Sequence, residues 1–160
     1  MQKEIGFWAG GIGLITFCLF GMVSCNEIPS QYESFFRLSP EKMEKAIFDY
    51  PLDQQIDLMV IGIAESHPPF LYLARLVAKN GEQIVPLLIQ RLPTVKDQHQ
   101  LGAILFCLLE INLEHFEWKG HPKYQALVQQ GLAKITDPAL REEATRSLVS
   151  GAASHTDLKK

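Results

Sequence analysis

Residues 97–113 read DQHQLGAILFCLLEINL. After the polar opening, apolar side chains fall on nearly every side of a helical wheel, and no strict alternation marks a half-buried strand. The stretch predicts a helix from about Asp97 to Leu113 that no single-faced packing would satisfy. It should therefore be the central, buried helix of an all-α body.

Working outward, the punctuation on both sides is helical. Toward the C-terminus, Tyr124, Leu127, Val128, Leu132 and Ile135 stand at helical spacing and predict a helix over about 121–135. Asp137-Pro138 then pairs a capping residue with a proline at the first helical position, and a last helix should run to about Ser150. Its Glu142 and Arg146 are spaced i,i+4. Toward the N-terminus, a helix over 82–92 tolerates Pro86, because the first backbone N–H groups of a helix have no acceptor inside it. Another is expected over about 69–80, with Phe70, Leu73, Leu76 and Val77 as its stripe and Asn80-Gly81 as its stop. A helix over about 52–65 carries Ile56, Met59, Val60 and Ile63 on one face, and His67-Pro68-Pro69 breaks the chain after it. The first helix of the body starts at Ser39-Pro40-Glu41 and reaches about Tyr50, with Pro51 ending it. Mostly short links imply antiparallel neighbours. The fold expected is all-α: antiparallel helical hairpins stacked as a short array or an irregular bundle, over residues 39–150. The small, polar residues 151–160 are expected to form a flexible tail.

The chain has 160 residues, 47% of them hydrophobic and 21% charged, enough for one domain with a core. A net charge of −3 and the absence of basic clusters argue against nucleic acid as a partner. Three cysteines do not make a disulfide scaffold.

The first 24 residues, MQKEIGFWAGGIGLITFCLFGMVS, read as an address. Nothing from Ile5 to Ser24 is charged, a length that could cross a bilayer as a helix, although its five glycines weaken it as a permanent span. Met22-Val23-Ser24-Cys25 resembles the lipobox of bacterial lipoproteins, in which an aliphatic residue and two small residues precede a cysteine. Val23, Ser24 and Cys25 match that pattern, and Met22 stands where leucine is usual. The resemblance implies removal of residues 1–24, lipidation of Cys25 and a lipid-anchored mature chain in the bacterial cell envelope. Asn26 is not the aspartate that retains such proteins at the inner membrane, which implies the periplasmic face of the outer membrane in a host that has one. An uncleaved anchor helix and a plain signal peptide are the alternatives. Residues 25–38 are expected to be the lipidated cysteine and a short tether, with Phe35 and Phe36 as residues that could dock on the body.

A faint internal repeat is visible. Gln100 and Arg141 stand at the same separation as Ala103 and Ala144, within the roughly 40–47 residue period of HEAT-type repeats. Asp137, Pro138, Leu140, Arg141, Ala144 and Leu148 resemble the second-helix pattern of that family, and the stretch from Glu82 to Leu92 resembles its first helix with a proline. The resemblance covers about residues 82–150 and implies stacked hairpins that leave one surface free for a partner. The alternative is two amphipathic hairpins of similar length and no more. Gly62, Gly102 and Gly131 fall inside expected helices, where glycine costs about 1 kcal/mol against alanine. Close helix–helix approach would justify them; tolerated accidents would not need justifying.

Chemistry is sparse. Glu110, Glu114, His115, Glu117 and His121 form the densest polar cluster, yet no two histidines have zinc-ligand spacing, and no metal or other cofactor is expected. Cys107 falls in the most apolar helix, where a thiol is inert. Glu65-Ser66-His67 are neighbours in sequence and so point apart. No catalytic motif is present, and catalysis is not expected. The function expected is a lipid-anchored helical module that binds another envelope protein. Two alternatives remain open: an immunity-type inhibitor of an envelope-targeted toxin, and a helical protein that binds a small ligand. His115, Phe116, Trp118 and Tyr124 are the candidate contact residues, because aromatic residues beside charges in an interhelical link are common interface anchors; burial against the core is the competing account of Phe116 and Trp118.

Overall fold

The computed structural model describes residues 28–149. The signal segment, Cys25, Asn26 and the expected tail at 151–160 lie outside the described residues. Eight α-helices and no strand are found among the described residues: α1 Ser30–Phe36, α2 Pro40–Ala46, α3 Leu52–Ala64, α4 Tyr72–Ala78, α5 Val85–Arg91, α6 Gln98–Glu110, α7 Pro122–Lys134 and α8 Pro138–Val149. None of them is long and apolar enough to cross a membrane.

The helix starts follow local chemistry. Asp97, in extended backbone, accepts the Gln100 N–H at 2.9 Å and opens α6. Asp137 accepts the N–H groups of Ala139 and Leu140 at 2.8 and 3.1 Å and opens α8. Ser39 opens α2 through its backbone carbonyl, with no side-chain capping bond to the helix backbone. Pro86 sits in the first turn of α5, where its missing N–H is harmless. Gly81 takes a φ of +57°, the left-handed conformation that stops the preceding helix and starts a turn of 3₁₀ helix at Gly81–Ile84.

Within the stretch expected to be a tether, residues Ser30–Phe36 form a folded helix. Tyr32 and Phe35 of α1 are buried, and Phe35 meets the rings of Phe36 and Tyr50 edge-on. The Tyr32 hydroxyl donates to Asp57 Oδ2 at 3.0 Å, and Arg91 Nη2 reaches Asp57 Oδ1 at 2.7 Å. One carboxylate thus ties α1, α3 and α5 together. The seven-residue helix has too little periodic sequence to announce itself, but two aromatic side chains suffice to dock it.

Helix α6 is the hub. It packs against α3 and α4 on one flank and against α8 on the other, and it touches α5. The hairpins stack so that α5 lies beside α7 while α6 lies beside α8. At the spacing of the expected repeat, Ala103 and Cys107 of α6 and Ala144 and Leu148 of α8 are all buried. In the first helices the same spacing pairs unlike positions: Leu88 and Ile89 of α5 are buried, whereas Gln129 and Gln130 of α7 are exposed.

Two of the three glycines mark close approaches. A Cβ on Gly62 would stand 2.5 Å from Leu73 Cδ1 and 3.2 Å from the Phe36 ring, so α1 and α4 both lean on bare α3 backbone there. A Cβ on Gly131 would stand 3.1 Å from the Ile89 carbonyl oxygen where α7 crosses α5. Around Gly102 there is open space. Gln55, the one buried polar side chain among the described residues, donates to the Tyr50 carbonyl and accepts from Asn80, both at 2.8 Å. Cys107 is buried with its thiol toward the Ala74 carbonyl at 3.5 Å, and burial pushes the thiol pKa up, as its apolar helix implies.

The two longest links depart most from the short connections expected. Residues 65–71 contain a cis His67–Pro68 peptide, and Phe70 N–H reaches back to the Gly62 carbonyl at 2.9 Å. The other, residues 111–121, shapes the candidate site.

Candidate binding site

Helix α6 does not end cleanly. It passes into a π-type turn at Ile111–His115, an extended Phe116 and a 3₁₀ turn at Trp118–Gly120 before α7 begins. This path swings Trp118 back under α6. Its indole is 1% exposed, and Nε1 donates to the Leu108 carbonyl at 2.8 Å. The Leu108 carbonyl also accepts the Ile111 N–H, so the indole is a second donor on the same oxygen.

The backbone of Lys119 is held from both sides. Its N–H donates to Asn112 Oδ1 at 3.1 Å, and its carbonyl accepts from Gln125 Nε2 at 2.9 Å. The side chain then runs past the Trp118 ring, with the ammonium 5.8 Å from the ring centroid, to the Ser147 carbonyl at 3.3 Å. Partial burial lowers the Lys119 pKa below the usual lysine value.

Two hollows flank this lysine. One, of about 350 Å³, opens between the first half of α7 and the last turn of α8; Trp118, Pro122, Ala126, Val128, Leu148 and Val149 give it apolar walls. The other, of about 160 Å³, lies against α6, at Leu105, Phe106 and Leu109. Both share Trp118, Lys119 and Leu148. Large apolar side chains in and near these hollows are exposed: Leu109 43%, Leu113 53% and Val149 42%. Helix α6 is therefore central but not fully enclosed. Its outer flank lies uncovered among the described residues, against the expectation from its all-round apolar pattern. The helices on the α3–α4 side cover one flank, and α8 reaches only part of the other.

The four candidate contact residues separate. Trp118 and Tyr124 are buried, 1% exposed each, and cannot serve as exposed anchors. Both have an apolar body and one polar tip, and the fold satisfies the tip internally: the Tyr124 hydroxyl donates to Glu82 at 2.7 Å, linking α7 to the turn at Gly81–Ile84. Burial, assisted by the Glu82 carboxylate, pushes the Tyr124 pKa up to about 12. Phe116 is half-buried in the same cluster, 5.8 Å from the Tyr124 ring and 5.1 Å from His121. His115 is exposed and stands outside these ring contacts. The residues that do form the uncovered surface, Leu105, Phe106, Leu109, Leu113 and Val149, were not among the candidates. Their signal was present in α6: too many apolar positions for the neighbours available.

Glu110 pairs with Arg75 at 3.6 Å, and among the described residues no group of histidines, cysteines and carboxylates converges to hold a metal ion. A further groove, of about 340 Å³, lies beside Tyr32, Asp57 and Arg91. Its central charges already neutralise one another in the link that fastens α1. No protein-family model, curated protein or solved structure matches the chain.

Proposed function

We propose that the chain is a bacterial envelope lipoprotein, anchored through Cys25, whose HEAT-like helical body binds another envelope protein without catalysing a reaction. The observation that carries the binding reading is the uncovered apolar flank of α6, with Leu109 and Leu113 about half exposed on a helix that otherwise forms the hub. Exposed large apolar side chains on one side of a helix and its following turn are what a partner's helix or edge would cover.

The anchoring reading rests on the lipobox resemblance, and the docked α1 adds a consequence. From Cys25 to Ser30 the chain spans at most about 18 Å. With α1 fastened to α3 and α5, an acylated Cys25 would hold the body close against the bilayer rather than on a long leash. A partner would then be met at the membrane surface.

A photo-crosslinking amino acid placed at Leu109 or Leu113 in native envelopes should capture one discrete protein, and the same residue at exposed Arg146 should not. Equal, diffuse labelling from all three positions would refute the binding reading. The anchoring reading has its own readout: intact mass of membrane-extracted protein should lack residues 1–24 and carry lipid. An unprocessed chain would refute it.

A further inference from the structure

We infer that the slot between α7 and α8 binds a single-chain amphiphile with a carboxylate head, of the fatty-acid class, with Lys119 as its counter-charge. The slot lies between α7 and α8 and meets the α6 flank at Trp118, Lys119 and Leu148; its occupant is argued independently of the protein-binding reading.

Three observations converge. The slot has the volume of a small-ligand site, about 350 Å³, and walls of Pro122, Ala126, Leu148, Val149 and the Trp118 ring. Hydrocarbon leaving water is favoured against such walls. The smaller apolar hollow continues past Leu148 along α6, so a chain longer than the slot has further surface to follow.

The second observation is the cation at the mouth. An ammonium has three donors, and Lys119 uses one, on the Ser147 carbonyl at 3.3 Å. The ion pairs among the described residues are Arg37–Glu33, Arg75–Glu110, Arg91–Asp57 and Arg146–Glu142, so none of them serves Lys119. Partial burial disfavours its charge, as the lowered pKa reflects. A partly desolvated charge with no counter-ion among the described residues carries a cost that an anionic head lessens.

The third is that the lysine is placed. Asn112 and Gln125 clamp its backbone, and the indole backs its stem. A single lysine is a point charge suited to a monoanion; recognition of phosphate or of an acidic peptide ordinarily recruits an arginine fork or several cations. A carboxylate on a hydrocarbon chain is the ligand that matches one cation and one apolar slot.

The test uses the full-length chain in nanodiscs of zwitterionic lipid, with a photoreactive palmitic acid and the matching alcohol as probes. The acid should label saturably, and adducts should map to peptides spanning residues 118–129 and 147–149. Lys119→Gln should lower labelling by the acid about five-fold while leaving the alcohol unchanged, the size of effect a partly exposed ion pair supplies. Ala126→Trp, a change at an exposed position that fills the slot, should lower labelling by both probes. Thermal melts matching the unsubstituted chain would show that neither variant has unfolded. Equal labelling by acid and alcohol in the unsubstituted chain, or labelling that neither substitution changes, would overturn the assignment. So would acid labelling that appears only when residues 150–160 are removed, because the slot would then belong to the chain's own end.

Discussion

The two flanks of α6 are built from the same residue types and do opposite things. On the flank facing α3 and α4, Leu101, Ile104, Cys107 and Leu108 are at most 2% exposed. On the other, Leu109 and Leu113 are 43% and 53% exposed, with Leu105 and Phe106 half-covered. The closed flank is fastened by devices that tolerate little change: bare backbone at Gly62, the Tyr32–Asp57–Arg91 link and the buried Gln55. The open flank is bounded by one indole, one lysine and the last turn of α8. Composition alone does not distinguish core from surface in such a helix. The number of neighbours that the rest of the chain supplies does.

Adjacent leucines give the sharpest contrast. Leu108→Ala on the closed flank should cost about 2–5 kcal/mol, and Leu109→Ala less than about 0.5 kcal/mol, read as urea midpoints. Equal losses would mean that the open flank is covered in solution. Gly62→Ala comes next, because its Cβ would stand 2.5 Å from Leu73 Cδ1, on a side chain that is itself buried. A loss of about 1–3 kcal/mol is expected. Gly102→Ala, into open space, should instead stabilise by up to about 1 kcal/mol, and a thermal-shift comparison of the two separates close approach from accident.

Alkaline pH probes two buried tyrosines, one on α1 and one on α7. Tyr32 and Tyr124 each have a folded-state pKa raised from 10.0 to about 12, chiefly by burial and then by Asp57 and Glu82 respectively. A raised pKa means that the folded state holds the proton more tightly than the unfolded chain. Their contribution is therefore complete below pH 10 and is lost as pH climbs from about 10 to about 12. Urea midpoints should fall across that window, and Tyr32→Phe or Tyr124→Phe should each flatten the fall. A midpoint independent of pH up to 12 would contradict the burial of both hydroxyls. The smallest effect on stability is expected for Leu113→Ser, within about 0.5 kcal/mol, with loss of the cross-linked partner as its visible consequence. Retained capture would move the binding surface elsewhere.

Much of the fold was legible along the chain. Apolar spacing and punctuation at Pro40, Gly81, Asp137 and Pro138 announced the helices from 39 to 149, because those signals act within a few residues of where they stand. Helix α1 was missed, since a short segment without a period is held only by distant Tyr50 and Asp57. The site was less legible. Trp118 and Tyr124 have the composition of interface anchors, yet the indole bonds to Leu108 and the phenol to Glu82, contacts that local sequence does not encode. By itself the sequence determined that the described body is helical, where most helices begin and end, and that α6 has more apolar surface than one face can bury. Only the tertiary structure decided which of α6's flanks is covered, that Gly62 and Gly131 are close approaches while Gly102 is not, and that Lys119 stands at an apolar slot. Helix signals are local hydrogen-bonding and rotamer preferences; burial depends on which distant surfaces arrive, and that is a property of the packed whole.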